Sequence, residues 1–142
     1  MPFSVITFKP IGVVRRDLDV YNLDVLRTRE AIIEVYPEYI DGLKDIESRE
    51  YLWIIWYAHL VKPLEKDRLL IYPRGDISRG KTGVFNTRSP RRINNIMISL
   101  VRLIHRMENK IYVIGLDAFN NSPVLDIKPY VRSLDDPNSI RV

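Results

Sequence analysis

The sequence predicts an all-β fold, a barrel or a sandwich, on three observations. About seven short apolar runs rich in β-branched and aromatic residues are separated by turn-forming residues. No stretch carries a long amphipathic helical pattern. The 142 residues suffice for one domain with a moderate core.

The elements follow in order. Val5 to Val14 mixes apolar residues with Pro10, as a first or edge strand does. Ala31 to Tyr36 is short and β-branched and stops at Pro37. Asp41 to Glu50 is polar, with room for one helical turn at most. Tyr51 to Leu60 reads as a central buried strand, and Arg68 to Tyr72 as a shorter one. Ile96 to Met107 fits a helical stripe through Ile96, Leu100, Leu103, Ile104 and Met107. The adjoining turn at Glu108, Asn109 and Lys110 favours a hairpin instead, with Lys110 to Leu116 as its second strand. After a turn at Asn120 to Pro123, Val124 to Ile127 forms a last strand. Residues 1–131 read as the barrel domain, and residues 132–142 as a tail that docks or frays.

Composition narrows the function classes. Cysteine is absent, which excludes a disulfide framework and a thiolate metal site. Two histidines leave little for a zinc centre, and no metal site is expected. No signal peptide or membrane span is legible, so a cytoplasmic protein with no membrane partner is expected. The net charge is +4, but Arg74 to Arg92 holds six basic residues and one acid, so the rest of the chain is slightly negative. Arg74, Arg79, Lys81, Arg91 and Arg92 are therefore candidate RNA contacts, Arg88 being the sixth cation of the segment. A solvated, ion-paired loop would have the same composition.

Gly75 to Thr82 formally matches the phosphate-binding loop G-x-x-x-x-G-K-[ST]. Such a loop works only with a helix N-terminus behind it. Gly83, Val84, Phe85, Asn86, Thr87 and Pro90 follow instead, and they disfavour a helix. A nucleotide hydrolase is kept only as the weaker alternative.

Three segments together resemble the TsaA-like (TrmO) family of tRNA methyltransferases. They are Pro10 to Arg15; Pro73 to Gly75 with Gly83 to Phe85 and Thr87 to Pro90; and Gly115 to Asp117 followed by Pro123 to Tyr130. Trp56 to His59 resembles the family's aromatic segment ending in His, which makes His59 a further site candidate. The resemblance runs from Phe8 to Val131 and implies a single-sheet β-barrel with short irregular or helical turns. It also implies S-adenosylmethionine bound near a homodimer interface, and methylation of N6 of threonylcarbamoyladenosine beside a tRNA anticodon. The chain departs from the family at Asn95 and Met97, where proline and glycine are usual.

The resemblance assigns Arg88, Ser89, Pro90, Asn94, Asp117 and Pro129 to the donor site, with Arg88 suited to a carboxylate. Asp126, Lys128 and Tyr130 are the catalytic candidates. Asp126 and Lys128 stand two apart on a strand and share a face, so the ammonium can keep the carboxylate ionised as a base. Tyr130, after Pro129, can stack on adenine. Trp53 and Trp56, three apart, face opposite sides, so at least one is core or interface. A non-catalytic RNA- or ligand-binding barrel is the second function class.

Overall fold

Six strands close into one antiparallel barrel. The structure, a computed structural model, describes residues 4–17 and 22–140. The strands are β1 (Gly12–Arg15), β2 (Ala31–Val35), β3 (Tyr51–Tyr57), β6 (Ile96–Met107), β7 (Lys110–Ile114) and β8 (Pro123–Pro129). Their order around the barrel is β1-β2-β7-β6-β3-β8, with β8 pairing back onto β1. A small separate ribbon pairs β4 (Leu70–Ile71) with β5 (Thr82–Gly83). Two short helices complete the elements, α1 (Leu23–Thr28) and α2 (Arg132–Asp135).

Alternation along each strand explains the closure. In β3 the residues Leu52, Ile54 and Trp56 are buried, while Tyr51, Trp53, Ile55 and Tyr57 face outward. In β6 Met97, Ser99 and Val101 point in, and Ile96, Ile98 and Leu100 point out. The inward rows meet Val14, Ile33, Ile111, Val113 and Val124 in one core. Closure is narrowest between β1 and β8, which pair only through Gly12 with Val124 and Val13 with Pro123.

Several expectations hold and some need correction. Ile96 to Met107 is strand, and its hairpin turns at Glu108, whose φ is 55°. The first strand is shorter than expected: of Val5 to Val14 only Gly12 onward is paired, and residues 4–10 are exposed. Arg68 to Tyr72 is not a barrel strand; only Leu70 and Ile71 pair, with the ribbon strand β5. The polar stretch before β3 holds two 3-10 turns, Pro37–Leu43 and Ile46–Ser48. α1 was not anticipated. It is capped by Asn22, whose side chain accepts from the amides of Asp24 and Val25, and it buries Leu26.

Candidate functional site

A two-part concavity lies at the end of the barrel where β3 finishes and β8 begins. A narrow apolar cleft of about 60 Å³ is walled by Trp56, His59, Val61, Met97 and Phe119. It opens into a wide groove of about 880 Å³ flanked by α1 and the loops 72–90. Leu23, Arg88, Pro90 and Asp117 line both, so the two spaces are continuous.

Asp117 sits at the junction. It follows Gly115, whose φ of 108° and close approach to the Leu100 carbonyl leave no room for a side chain. A buried polar chain reaches its carboxylate. Trp56 Nε1 donates to Ser99 Oγ at 2.9 Å, and Ser99 Oγ donates to Asp117 Oδ1 at 2.6 Å. Behind the loop Arg16 is buried, donating from Nη1 to the carbonyls of Leu116 (2.9 Å) and Ala118 (2.6 Å). Its Nη2 donates to the Leu26 carbonyl at the end of α1, at 2.9 Å. Burial lowers the Arg16 pKa from its ordinary value, and nearby Asp117 partly offsets this. Arg16 thus ties the Asp117 loop to α1, the two walls of the groove.

The floor of the cleft is built from the chain after β3. Asn95, fully buried with φ 50°, accepts from the Arg92 amide at 2.9 Å and donates to the Val61 carbonyl at 2.5 Å. A proline is held near φ −65° and has no such side chain. Asn95 thus fixes the segment from Ala58 to Val61 through a backbone conformation and side-chain bonds that a proline could not supply. Met97 fills space on the cleft wall at a position where the resemblance implies glycine. His59 Nδ1 is buried without a hydrogen-bond partner, and burial pushes the imidazole pKa below its ordinary value.

The expected site residues fall into four groups. Arg88, Ser89, Pro90 and Asp117 line the groove with Arg74 and Arg79. Arg88 Nη2 donates to the Ile98 carbonyl at 2.7 Å, so the groove rim is joined to β6. Lys81 and Arg91 lie on the other side of the 72–90 loops, in a hollow with Arg68 and Tyr72. Lys81 Nζ stands 5.5 Å from the Tyr72 ring centroid. Arg92 turns inward, its Nη1 donating to the carbonyls of Thr87 and Ser89 at 2.9 and 3.1 Å.

The remaining candidates lie elsewhere on the same chain. Asn94 borders a hollow with Phe8, Tyr57 and Leu125, and Pro129 one with Lys44 and Arg49. Asp126 and Lys128 share the outer face of β8 as expected, paired at 3.4 Å, both exposed. Tyr130 meets Tyr51 edge-on, with ring centroids 6.4 Å apart. In the β3–β8 register Lys128 is beside Trp53 and Asp126 beside Ile55. Five residues of strand, roughly 17 Å, separate Tyr51 from Trp56 at the cleft. One chain therefore does not bring Tyr130 to the groove.

Sequence reading missed Arg16, Leu23 and the Trp56–Ser99–Asp117 chain. Ser99 had a signal, being the one hydroxyl among the inward residues of a strand that otherwise turns Met97 and Val101 to the core. Arg16 had none, because its partners are backbone carbonyls. The phosphate-loop alternative loses its local structure: Thr82 opens β5, and the following turn is a three-residue 3-10 segment, Val84–Asn86. Among the described residues no group of His, Cys, Asp or Glu could hold a metal ion, and no helix is long and apolar enough to cross a membrane.

Comparison with known proteins bears on this geometry. The chain is 37% identical over 134 residues to a probable S-adenosyl-L-methionine-binding protein of Methanothermobacter thermautotrophicus, covering 92% of this chain and 93% of that protein. It is 36% identical over 120 residues to human tRNA (adenine(37)-N6)-methyltransferase, covering 84% of this chain but only 26% of the human protein. The crystal structure of TrmO from P. aeruginosa superposes with a TM-score of 0.73 at 25% identity, over 98% of this chain and 61% of that one. Residues 19–136 match the model of the tRNA-methyltransferase O N-terminal domain. With barrel, segment order and family model in agreement, the chain belongs to the TrmO N-terminal domain family.

Proposed function

We propose that this chain is an S-adenosylmethionine-dependent tRNA methyltransferase acting on N6 of an adenosine beside the anticodon, one carrying a threonylcarbamoyl group. The observation that carries the reading is the continuous cleft and groove with Arg88 and Asp117 at their junction. Their chemistry suits the donor. The groove has the volume for a nucleoside, Arg88 offers N–H groups to a carboxylate, and the cleft is apolar and aromatic. Ser89 and Pro90 form the wall beside Arg88.

When bound, the donor supplies an electrophilic methyl group on sulfur. The protein's part is alignment and proton removal. A carbamoylated N6 is a poor nucleophile because its lone pair is delocalised, so losing its proton assists attack. Asp126 accepts that proton, and Lys128, whose Nζ lies 3.4 Å from the carboxylate, orients it. Tyr130 offers a ring to the base.

These three residues reach the groove through a second copy of the chain. The outer face beside them is apolar: Trp53 opposite Leu100, Ile55 opposite Ile98 and Tyr57 opposite Ile96. Ile98 also carries the carbonyl that holds Arg88, so this face adjoins the groove rim. A two-fold pairing across it sets the partner's catalytic strand end near the donor, and Asn94 and Pro129 near the same seam. The ridge cations Arg74, Arg79, Lys81 and Arg91 contact tRNA phosphates, and Arg92 braces the ridge.

The test is calorimetric titration with S-adenosylmethionine, followed by single-turnover transfer of labelled methyl to tRNA with and without the threonylcarbamoyl group. Saturable donor binding and incorporation into the modified tRNA are expected. Asp126→Asn should keep donor affinity and lower the transfer rate by about 10²-fold or more. No donor binding would remove the reading. Binding of donor and tRNA without transfer would favour a non-catalytic barrel of the same fold.

A further inference from the structure

The Asp117 carboxylate poses a physical problem. It is half-buried at the mouth of an apolar cleft, yet among the described residues no cation lies within ion-pair distance of it. The guanidinium of Arg16 is close enough to feel its charge, but its Nη1 and Nη2 are held by carbonyls of Leu26, Leu116 and Ala118. Arg88 is turned toward the Ile98 carbonyl. A carboxylate in such surroundings is costly unless hydrogen-bonded or met by a positive ligand. The protein supplies the first. Ser99 has one hydroxyl hydrogen, and Trp56, a donor only, bonds to the Ser99 oxygen. The Ser99 hydrogen is thereby directed at Asp117 Oδ1, 2.6 Å away. Trp56 and Ser99 are both 5% exposed, so water does not readily compete for this chain.

We propose that Ser99 is a positioning residue that fixes Asp117 as an anionic cap on the cleft, and that the capped cleft selects the cationic sulfonium of the methyl donor over its neutral thioether product. The inference rests on the donor site assigned above. A trialkylsulfonium has no N–H or O–H to donate, so a site recognises it by an anion and by aromatic faces. The cleft provides both, a carboxylate held in place and the rings of Trp56, His59 and Phe119. Its volume of about 60 Å³ admits a group the size of a methylated sulfur and excludes a nucleoside. Once the methyl group has left, sulfur is neutral and the attraction to Asp117 is gone. Product release is then favoured by the same residue that holds the substrate.

The test compares S-adenosylmethionine with S-adenosylhomocysteine by calorimetry on the full chain, since the two differ at sulfur alone. Wild type should prefer the sulfonium. Asp117→Asn should weaken the sulfonium ligand by about tenfold or more while changing the thioether by less than about threefold. Ser99→Ala should shift the ratio the same way by a smaller factor, and Ser99→Thr, which keeps the hydroxyl, should restore it. Thermal melts on each variant separate folding from selection, and Asp117→Asn keeps the side-chain shape. Equal weakening of both ligands, or an unchanged ratio in Asp117→Asn, would overturn the inference and leave the donor site standing. Wild-type protein that binds neither ligand would instead overturn the donor site itself, and this inference with it.

Discussion

At the scale of single residues, Arg16 and Asp117 show how much of the site is held by polar groups inside an apolar barrel. Arg16 is 8% exposed and holds three carbonyls at 2.6–2.9 Å, drawn from both walls of the groove. Replacing it with Met keeps much of the volume and strands those carbonyls. Each unsatisfied buried acceptor costs about 1–3 kcal/mol, with incomplete additivity because water re-enters. Arg16→Met is expected to lose about 3–5 kcal/mol by urea unfolding, and Arg16→Lys to recover little, since an ammonium lacks the planar fork. A loss under about 1 kcal/mol in Arg16→Met would show that the carbonyls find other partners. Arg16 was not legible as functional from sequence, and Ser99 only through its place as the one hydroxyl on the inward side of its strand. A charged residue after a short strand and a serine inside one both have ordinary surface readings.

At the scale of elements, the ridge from Pro73 to Arg92 behaves as one unit. It combines three 3-10 turns with β5, which pairs back onto β4, and Arg92 pins its end to the Thr87 and Ser89 carbonyls. Its cations divide between two faces, Arg74, Arg79 and Arg88 toward the groove and Lys81 and Arg91 toward the hollow beside Tyr72. Among the described residues only Arg79 of these five forms an ion pair, with Asp76 at 3.9 Å. Exposed cations left unpaired suit phosphates. The double variant Lys81→Ala, Arg91→Ala should bind tRNA more weakly and flatten the salt dependence of log K by roughly one to two units. An unchanged slope in folded protein would place the RNA on another surface. The barrel strands were readable because alternation survives in single sequence, as in Leu52, Ile54 and Trp56. α1 was not, because its six residues are too few for a period and depend on the Asn22 cap and on burial of Leu26.

At the scale of the whole molecule, the barrel has one outward face too apolar to be ordinary surface. Trp53, Ile55 and Tyr57 on β3 run beside Leu100, Ile98 and Ile96 on β6. The three β6 residues are 39–40% exposed. Contiguous apolar surface is the kind that partners cover. If a second copy covers it, Leu100→Glu should convert a sedimenting dimer into a folded monomer. Methyl transfer should then fall as dimerisation is lost, because Asp126 and Lys128 lie on the outer face of β8 beside that patch. A wild-type monomer with full activity would reject the shared site.

The sequence by itself determined most of the barrel strands, the segment order that marks the family, and the concentration of positive charge between Arg74 and Arg92. Those properties are local, carried by alternation, turn residues and composition within short windows. Tertiary structure alone decided which side chains meet. Trp56 and Ser99 are 43 positions apart and Ser99 and Asp117 are 18, and they join only because β3 pairs with β6 in one register. A slip of one residue would turn Ser99 to the outer face and break the chain to Asp117. The same closure carries Asp126 and Lys128 to the outside of β8, beside Ile55 and Trp53, though their spacing in sequence shows only that they share a face. Cross-strand register follows from the packing of the entire core, so no local stretch encodes it.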